Sequence, residues 1–119
     1  MHELGIAQNI IEIVQDQTKN FSNRKIKNVF VKVGKLTNVL NDSLLFGYDA
    51  LIMGTNLEGS KLNIETVPAK IHCESCGSES VIDGLTFCCD QCKSTSVKLV
   101  NGMELTVFEI EIEDLSEVT

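Results

Sequence analysis

The stretch HCESCGSESVIDGLTFCCDQC, residues 72–92, sets Cys73 and Cys76 in one C-x-x-C and Cys89 and Cys92 in another, with twelve residues between the pairs. A short knuckle turn projects its two sulfurs to the same side, so two knuckles can bring four thiolates onto one tetrahedral ion. Zinc is the expected metal for that ligand set. On spacing alone the alternatives are disulfides, redox thiols or a rubredoxin-like iron site. A reducing compartment and the absence of a thioredoxin-like strand and helix around either pair weigh against the redox readings. Four cysteines form a closed shell with no open coordination position, which makes the zinc structural and not catalytic.

The same stretch decides the fold because it cannot stand alone. The segment 69–102 has few large apolar side chains and cannot bury a core of its own. Metal binding must then supply its folding free energy, on the order of 10 kcal/mol in small zinc modules. It reads as an insert carried by a larger α+β domain. Two nearby residues stay outside the ligand set: Cys88, a fifth cysteine beside Cys89, reads as a spectator, and His72 as a strand-end side chain.

Working outward, residues 4–18 place Leu4, Ala7, Ile11 and Val14 on one helical stripe, with Ile6, Ile10 and Ile13 widening it. IKNVFVKV, residues 26–33, alternates Val29, Val31 and Val33 against Lys32 as a strand stopped by Gly34. NDSLLFGYDALIMG follows as a second helix, with a polar cap in Asn41 to Ser43, a stripe of Leu45, Tyr48 and Ile52, and Gly54 as its terminator. KLNIETVP is a second strand closed by Pro68, and ELTVFEIEIE, residues 104–113, a third. In the third the phase slips, and a bulge near Val107 and Phe108 would put all its apolar residues on the core face.

This order predicts a three-stranded mixed sheet covered by two helices, with a zinc-ribbon-like, four-cysteine subdomain inserted between the second and third strands. Those two strands are expected to form an antiparallel pair. Residues 1–68 with 103–119 make the α/β domain and residues 69–102 the zinc-binding one.

The chain of 119 residues carries a net charge of -7. Residues 1–68 hold seven basic against seven acidic side chains, residues 69–100 three against four, and residues 101–119 none against six. The acidity belongs to the tail, where a solvated strand face and chain end account for it. Phosphate recognition needs clustered Lys and Arg, so nucleic acid is disfavoured. No basic leader or unbroken apolar span is readable near the start, and the expectation is a cytoplasmic protein without a membrane segment. With no Ser/His/Asp set, phosphate loop or His-Glu-x-x-His motif, the chain does not read as an enzyme.

His2 is the remaining feature. If Met1 is retained with a free amine, that amine, the backbone and ring nitrogens of His2 and the backbone nitrogen of Glu3 can surround one ion. Square-planar nitrogen ligation suits Ni(II) or Cu(II). A histidine near a chain end is weak evidence by itself.

Together, MHELGIAQNI, VKVGKL, EGSKLNIETVPAKIHC and the paired C-x-x-C resemble the HypA/HybF family of nickel metallochaperones for nickel-iron hydrogenase maturation. The resemblance covers essentially the whole chain in the family's order. It implies a nickel site at Met1, His2 and Glu3 and a zinc site at Cys73, Cys76, Cys89 and Cys92. It also implies nickel delivery to the hydrogenase large subunit together with a nickel-binding GTPase, and in some organisms service to urease. The family's second knuckle often reads C-P-x-C, where this chain has CDQC preceded by Cys88. The competing class is a zinc-ribbon module for protein interaction or nucleic-acid binding, which the acidic balance opposes.

Overall fold

The computed structural model describes residues 2–21, 24–83 and 86–113, apart from the side chain of His2. Its elements run α1 (His2–Gln17), β1 (Ile26–Gly34), α2 (Asn41–Leu51), β2 (Lys61–Val67), β3 (Ala69–Cys73), β4 (Glu79–Ile82), β5 (Val97–Asn101) and β6 (Leu105–Ile112), with two short 3-10 turns. One sheet has the order β2-β1-β6 and a second the order β4-β3-β5. The two helices and the mixed three-stranded sheet match the expected α+β class. The pairing inside that sheet does not: β1 lies between β2 and β6, so the second and third strands of the sequence reading are not neighbours. The reason is burial. Val29, Val31 and Val33 of β1 are each at most 2% exposed, whereas β2 and β6 are largely exposed or half-buried. The most apolar strand takes the centre.

The chain divides into two compact units, one of residues 1–31, 39–64 and 107–119, the other of residues 32–38 and 65–106. In the first, Ala7, Ile10, Ile11 and Val14 of α1 are buried, as are Leu44 and Tyr48 of α2 and Val29 and Val31 of β1. The Tyr48 hydroxyl is paired with Ser60 Oγ at 2.6 Å, and burial pushes its pKa up. Gly47 is the close approach of the helices: a Cβ there would stand 3.2 Å from Leu4 Cδ1 and 3.7 Å from the Ala7 Cβ.

The buried stripe of α1 is rotated from the apolar one. Leu4 and Ile13 are 44% and 45% exposed, while Glu3 and Thr18 are buried at 8% and 3%. Both polar residues have partners: Thr18 Oγ1 donates to the Val14 carbonyl at 2.6 Å, and Glu3 Oε2 accepts from the Leu40 N–H at 3.3 Å. Leu40, not Asn41 to Ser43, is the N-cap of α2, and its side chain makes no cap bond. A carboxylate from another helix serves there instead, one way to satisfy the donors a helix start leaves over.

β6 likewise departs from the expected all-core face. Val107, Ile110 and Ile112 are half-buried, but Leu105 and Phe108 are 42% and 43% exposed. Phe108 lies 6.2 Å from Phe30, whose strand neighbours Val29 and Val31 are fully buried, so the two rings share the less buried face of the sheet. On that face Asn63 Nδ2 donates to Asn28 Oδ1 at 3.2 Å, and Asn28 Nδ2 donates to Glu111.

The second unit has a small core of Ala69, Ile71 and Ile82, packed by Leu36 and Val97. β3 is its central strand, antiparallel to β4 from Ala69↔Ile82 to His72↔Glu79 and to β5 from Lys70↔Asn101 to Cys73↔Val97. Gly34, read above as a strand stop, has a more specific task. A Cβ on it would fall 2.1 Å from the Gly102 carbonyl oxygen, and its N–H donates to the Glu104 carbonyl at 2.7 Å. Gly102 itself has φ +129, a conformation open to glycine.

Candidate metal centre

Two turns of the same build carry the four cysteines. In the first, the Cys73 N–H donates to the Ser78 carbonyl at 2.8 Å and the Gly77 N–H to the Cys73 carbonyl at 2.9 Å. In the second, Cys89 and Ser94 repeat the first bond at 2.8 Å, and Lys93 and Cys89 the second at 2.9 Å. Each turn aims a backbone N–H at its leading sulfur, Cys76 N–H at Cys73 Sγ and Cys92 N–H at Cys89 Sγ, both at 3.4 Å. Reversal needs a left-handed residue: Gly77 has φ +80, and Lys93 adopts φ 64 without glycine's freedom. The Ser75 and Ser94 hydroxyls are paired at 2.9 Å, tying one turn to the other.

The sulfurs of Cys73, Cys76, Cys89 and Cys92 lie within 4.8 Å of one another. Cys73 Sγ stands 3.6 Å from Cys92 Sγ, and Cys76 Sγ 3.6 Å from Cys89 Sγ. A tetrahedron of sulfurs about 2.3 Å from zinc has edges of about 3.8 Å, so the donor set and its spacing fit that ion. All five cysteines are free thiols. The site is consistent with structural zinc, which when bound would tie the two turns together and offset part of the charge of the four thiolates.

Hydrogen bonding polarises the cluster. The Ser78 hydroxyl, ahead of the Cys92 and Gln91 N–H groups, holds the Cys89 thiol down to about 5. The Cys76 N–H lowers Cys73 in the same direction, against its burial. Cys92 is pushed up to about 12: the Ser94 N–H favours its thiolate, but Cys73, burial and the other two cysteines outweigh it. Without metal, then, the buried Cys89 is the ionised thiol near neutral pH and the exposed Cys92 keeps its proton, with Cys73 shifted toward the thiolate.

Cys88 is half-buried and outside the cluster, and His72 is the penultimate residue of β3, opposite Glu79 and Lys98. Neither joins the four among the described residues. The serines at 75, 78 and 94 were missed by the sequence reading. Their signal was there, since each stands within two residues of a knuckle cysteine, but serine near cysteine has no spacing rule of its own.

Of the expected nickel ligands, Met1 and the side chain of His2 lie outside the described residues. The backbone of His2 opens α1, and Glu3 follows in the first turn with its side chain buried and fastened at Leu40. No helix among the described residues is long and apolar enough to cross a membrane.

Residues 1–112 match the family described as hydrogenase/urease nickel incorporation, metallochaperone, HypA. The chain is 40% identical over 119 residues to hydrogenase maturation factor HypA of Desulfatibacillum aliphaticivorans, covering 99% of this chain and 92% of that one. It is 39% identical over 115 residues to the factor of the same name from Nostoc punctiforme, covering 97% and 98%. Among solved structures, a solution structure of a HypA protein matches with a TM-score of 0.70 at 20% identity, over 95% of this chain and 97% of that chain. The solution structure of the nickel metallochaperone HypA from Helicobacter pylori matches with a TM-score of 0.65 at 18% identity, over 92% and 96%. These two likenesses speak to the fold alone.

Proposed function

Because this chain belongs to the HypA family of nickel-incorporation metallochaperones, a family of metal carriers and not of enzymes, we propose that it binds Ni(II) at its N-terminus and delivers it to the large subunit of a nickel-iron hydrogenase. The ligands are the Met1 amine, the backbone and ring nitrogens of His2 and the backbone nitrogen of Glu3. Residues 1–68 with 103–119 are the nickel-binding domain. Residues 69–102 are the zinc-binding domain, with Cys73, Cys76, Cys89 and Cys92 as ligands. The hand-over takes place in the cytoplasm with a nickel-binding GTPase as partner, and involves neither membrane nor nucleic acid.

The observation that supports this most is the start of α1. His2 and Glu3 open the helix, and the buried Glu3 carboxylate at Leu40 holds the turn in place. A five-membered chelate through two successive backbone nitrogens needs ψ near zero, against about -42° in a helix. Nickel would therefore turn the first peptide out of helical register and leave the rest of α1 standing. A carrier benefits from that arrangement: ligands at a chain end can be exchanged one at a time. Micromolar binding, about -8 kcal/mol, suits an exchangeable cargo. Affinity falls with acidity, because the amine and imidazole must both lose protons to ligate, over the range of their ordinary pKa values, about 8 to 6.5, and the two backbone amides must each release an N–H proton to bind as amidates.

The test is nickel titration of untagged protein, followed by absorbance and calorimetry. His2→Ala, and separately a chain extended by residues before Met1, are each expected to lose at least tenfold in nickel affinity, about 1.4 kcal/mol, with zinc content unchanged. Equal affinity and stoichiometry in both variants would overturn the assignment.

A further inference from the structure

The two knuckles have the same backbone and differ in one hydroxyl. Ser78 and Ser94 occupy equivalent places, each giving its carbonyl to the N–H of the leading cysteine of its own turn. Their side chains point to different tasks. Ser78 Oγ lies 3.0 Å from Cys76 Sγ and 3.4 Å from Cys89 Sγ, bridging one sulfur of each knuckle. Ser94 Oγ is instead engaged by Ser75 Oγ at 2.9 Å and the Ser96 N–H at 3.1 Å. The hydroxyl partners of the cluster therefore fall on Cys76 and Cys89.

Exposure sharpens that difference. Cys73 and Cys89 are fully buried, while Cys76 and Cys92 are both exposed. An incoming thiolate or chelator can reach either exposed sulfur. A hydroxyl that donates to a thiolate withdraws charge from it, makes it a poorer nucleophile and fixes its orientation. Cys76 has that protection from Ser78. Cys92 receives the backbone N–H of Ser94 and, among the described residues, no hydroxyl.

We propose that Ser78 is a positioning residue of the four-cysteine site: its hydroxyl, set between Cys76 and Cys89 with its single proton shared by the two sulfurs, holds them in place and makes Cys92 the thiolate that leaves first when the metal is exchanged. The proposal rests on the zinc assignment of the four cysteines and adds an order of ligand departure to it. Neither knuckle's C-x-x-C spacing contains that order, because the spacing is the same in both.

The experiment is a timed N-ethylmaleimide reaction on the full-length zinc-loaded protein, with each modified cysteine identified by peptide mass mapping and Cys88 as the internal free-thiol reference. In the unaltered chain Cys92 is expected to react faster than Cys76 by roughly fivefold, the rate equivalent of one ordinary hydrogen bond. Ser78→Ala brings the two rates together by raising that of Cys76, and Ser78→Thr, which keeps the hydroxyl, restores the order. With Co(II) in place of zinc, Ser78→Ala shifts the sulfur-to-cobalt charge-transfer band to lower energy and Ser78→Thr does not. Equal Cys76 and Cys92 rates in the unaltered protein, or a Ser78→Ala variant unchanged in both rate order and cobalt band, would overturn the proposal. Less than one zinc per chain in the unaltered protein would overturn the metal assignment first, so the two failures are told apart by metal content.

Discussion

In the ribbon unit, backbone turns and strand pairing hold four sulfurs within 4.8 Å of one another, each on a residue fixed by its own turn. At the start of α1, what is fastened is a carboxylate that our reading does not count as a ligand, Glu3 at Leu40, and the nitrogens assigned to nickel belong to the chain end itself. The contrast teaches what each place suits. A closed shell of four thiolates favours a metal that stays, whereas a terminal site with a single anchored turn favours one that leaves.

Removing zinc tests the first half of that contrast and carries the largest effect. The second unit has a small apolar core of Ala69, Ile71 and Ile82, with Leu36 and Val97 at its margin. Chelation, or Cys73→Ser, is expected to forfeit on the order of 10 kcal/mol of folding free energy in that unit. Hydrogen exchange should show β3, β4 and β5 losing protection while α1 and α2 keep theirs. Where the unit stays folded without metal, reloading by calorimetry in buffers of different ionisation enthalpy is expected to release fewer than four protons near neutral pH, because the folded turns hold Cys89 ionised above about 5. The sign is that of a depressed thiol: its contribution to the metal-free fold is full above the ordinary value of 9.0 and is lost as pH falls through about 5. A ribbon that stays protected without metal would erase the distinction.

Glu3 tests the second half at smaller cost. Glu3→Ala leaves the Leu40 N–H without its carboxylate and should cost about 1 to 2 kcal/mol, read as a lower thermal midpoint. If the carboxylate only anchors the turn, one nickel per chain still binds. Loss of nickel without loss of stability would instead make the carboxylate a ligand. The smallest effect is at Lys93, which holds φ 64 where its counterpart is Gly77. Lys93→Gly relieves the left-handed strain and should raise the stability of the zinc-loaded protein by at most about 1 kcal/mol, visible as a shift in a chelator-challenge melt.

Much of the framework was readable along the chain, because it depends on local repetition. Both helices, the strands at 26–33 and 61–67 and the paired knuckles are periodic signals, and the observed elements begin and end within a few residues of them. The misreadings share a cause. The apolar stripe of α1 pointed to Leu4, yet the buried face runs from Glu3 to Thr18, because each polar side chain finds a partner that periodicity cannot see, one in its own helix and one 37 residues away. The β2-β6 pairing failed because contiguity along the chain competes with burial, and the valines of β1 claimed the middle of the sheet.

The sequence by itself determined that four cysteines could converge, since two equal spacings generate two equal turns. It also determined that a histidine stands second. Only the tertiary structure decided which hydroxyl faces which sulfur, that Gly34 lies against the Gly102 carbonyl, and that a buried carboxylate caps α2 from outside it. Such contacts join residues whose separation along the chain carries no period. They are fixed by the distances at which folded segments meet, where a hydrogen bond is made or lost within a few tenths of an ångström.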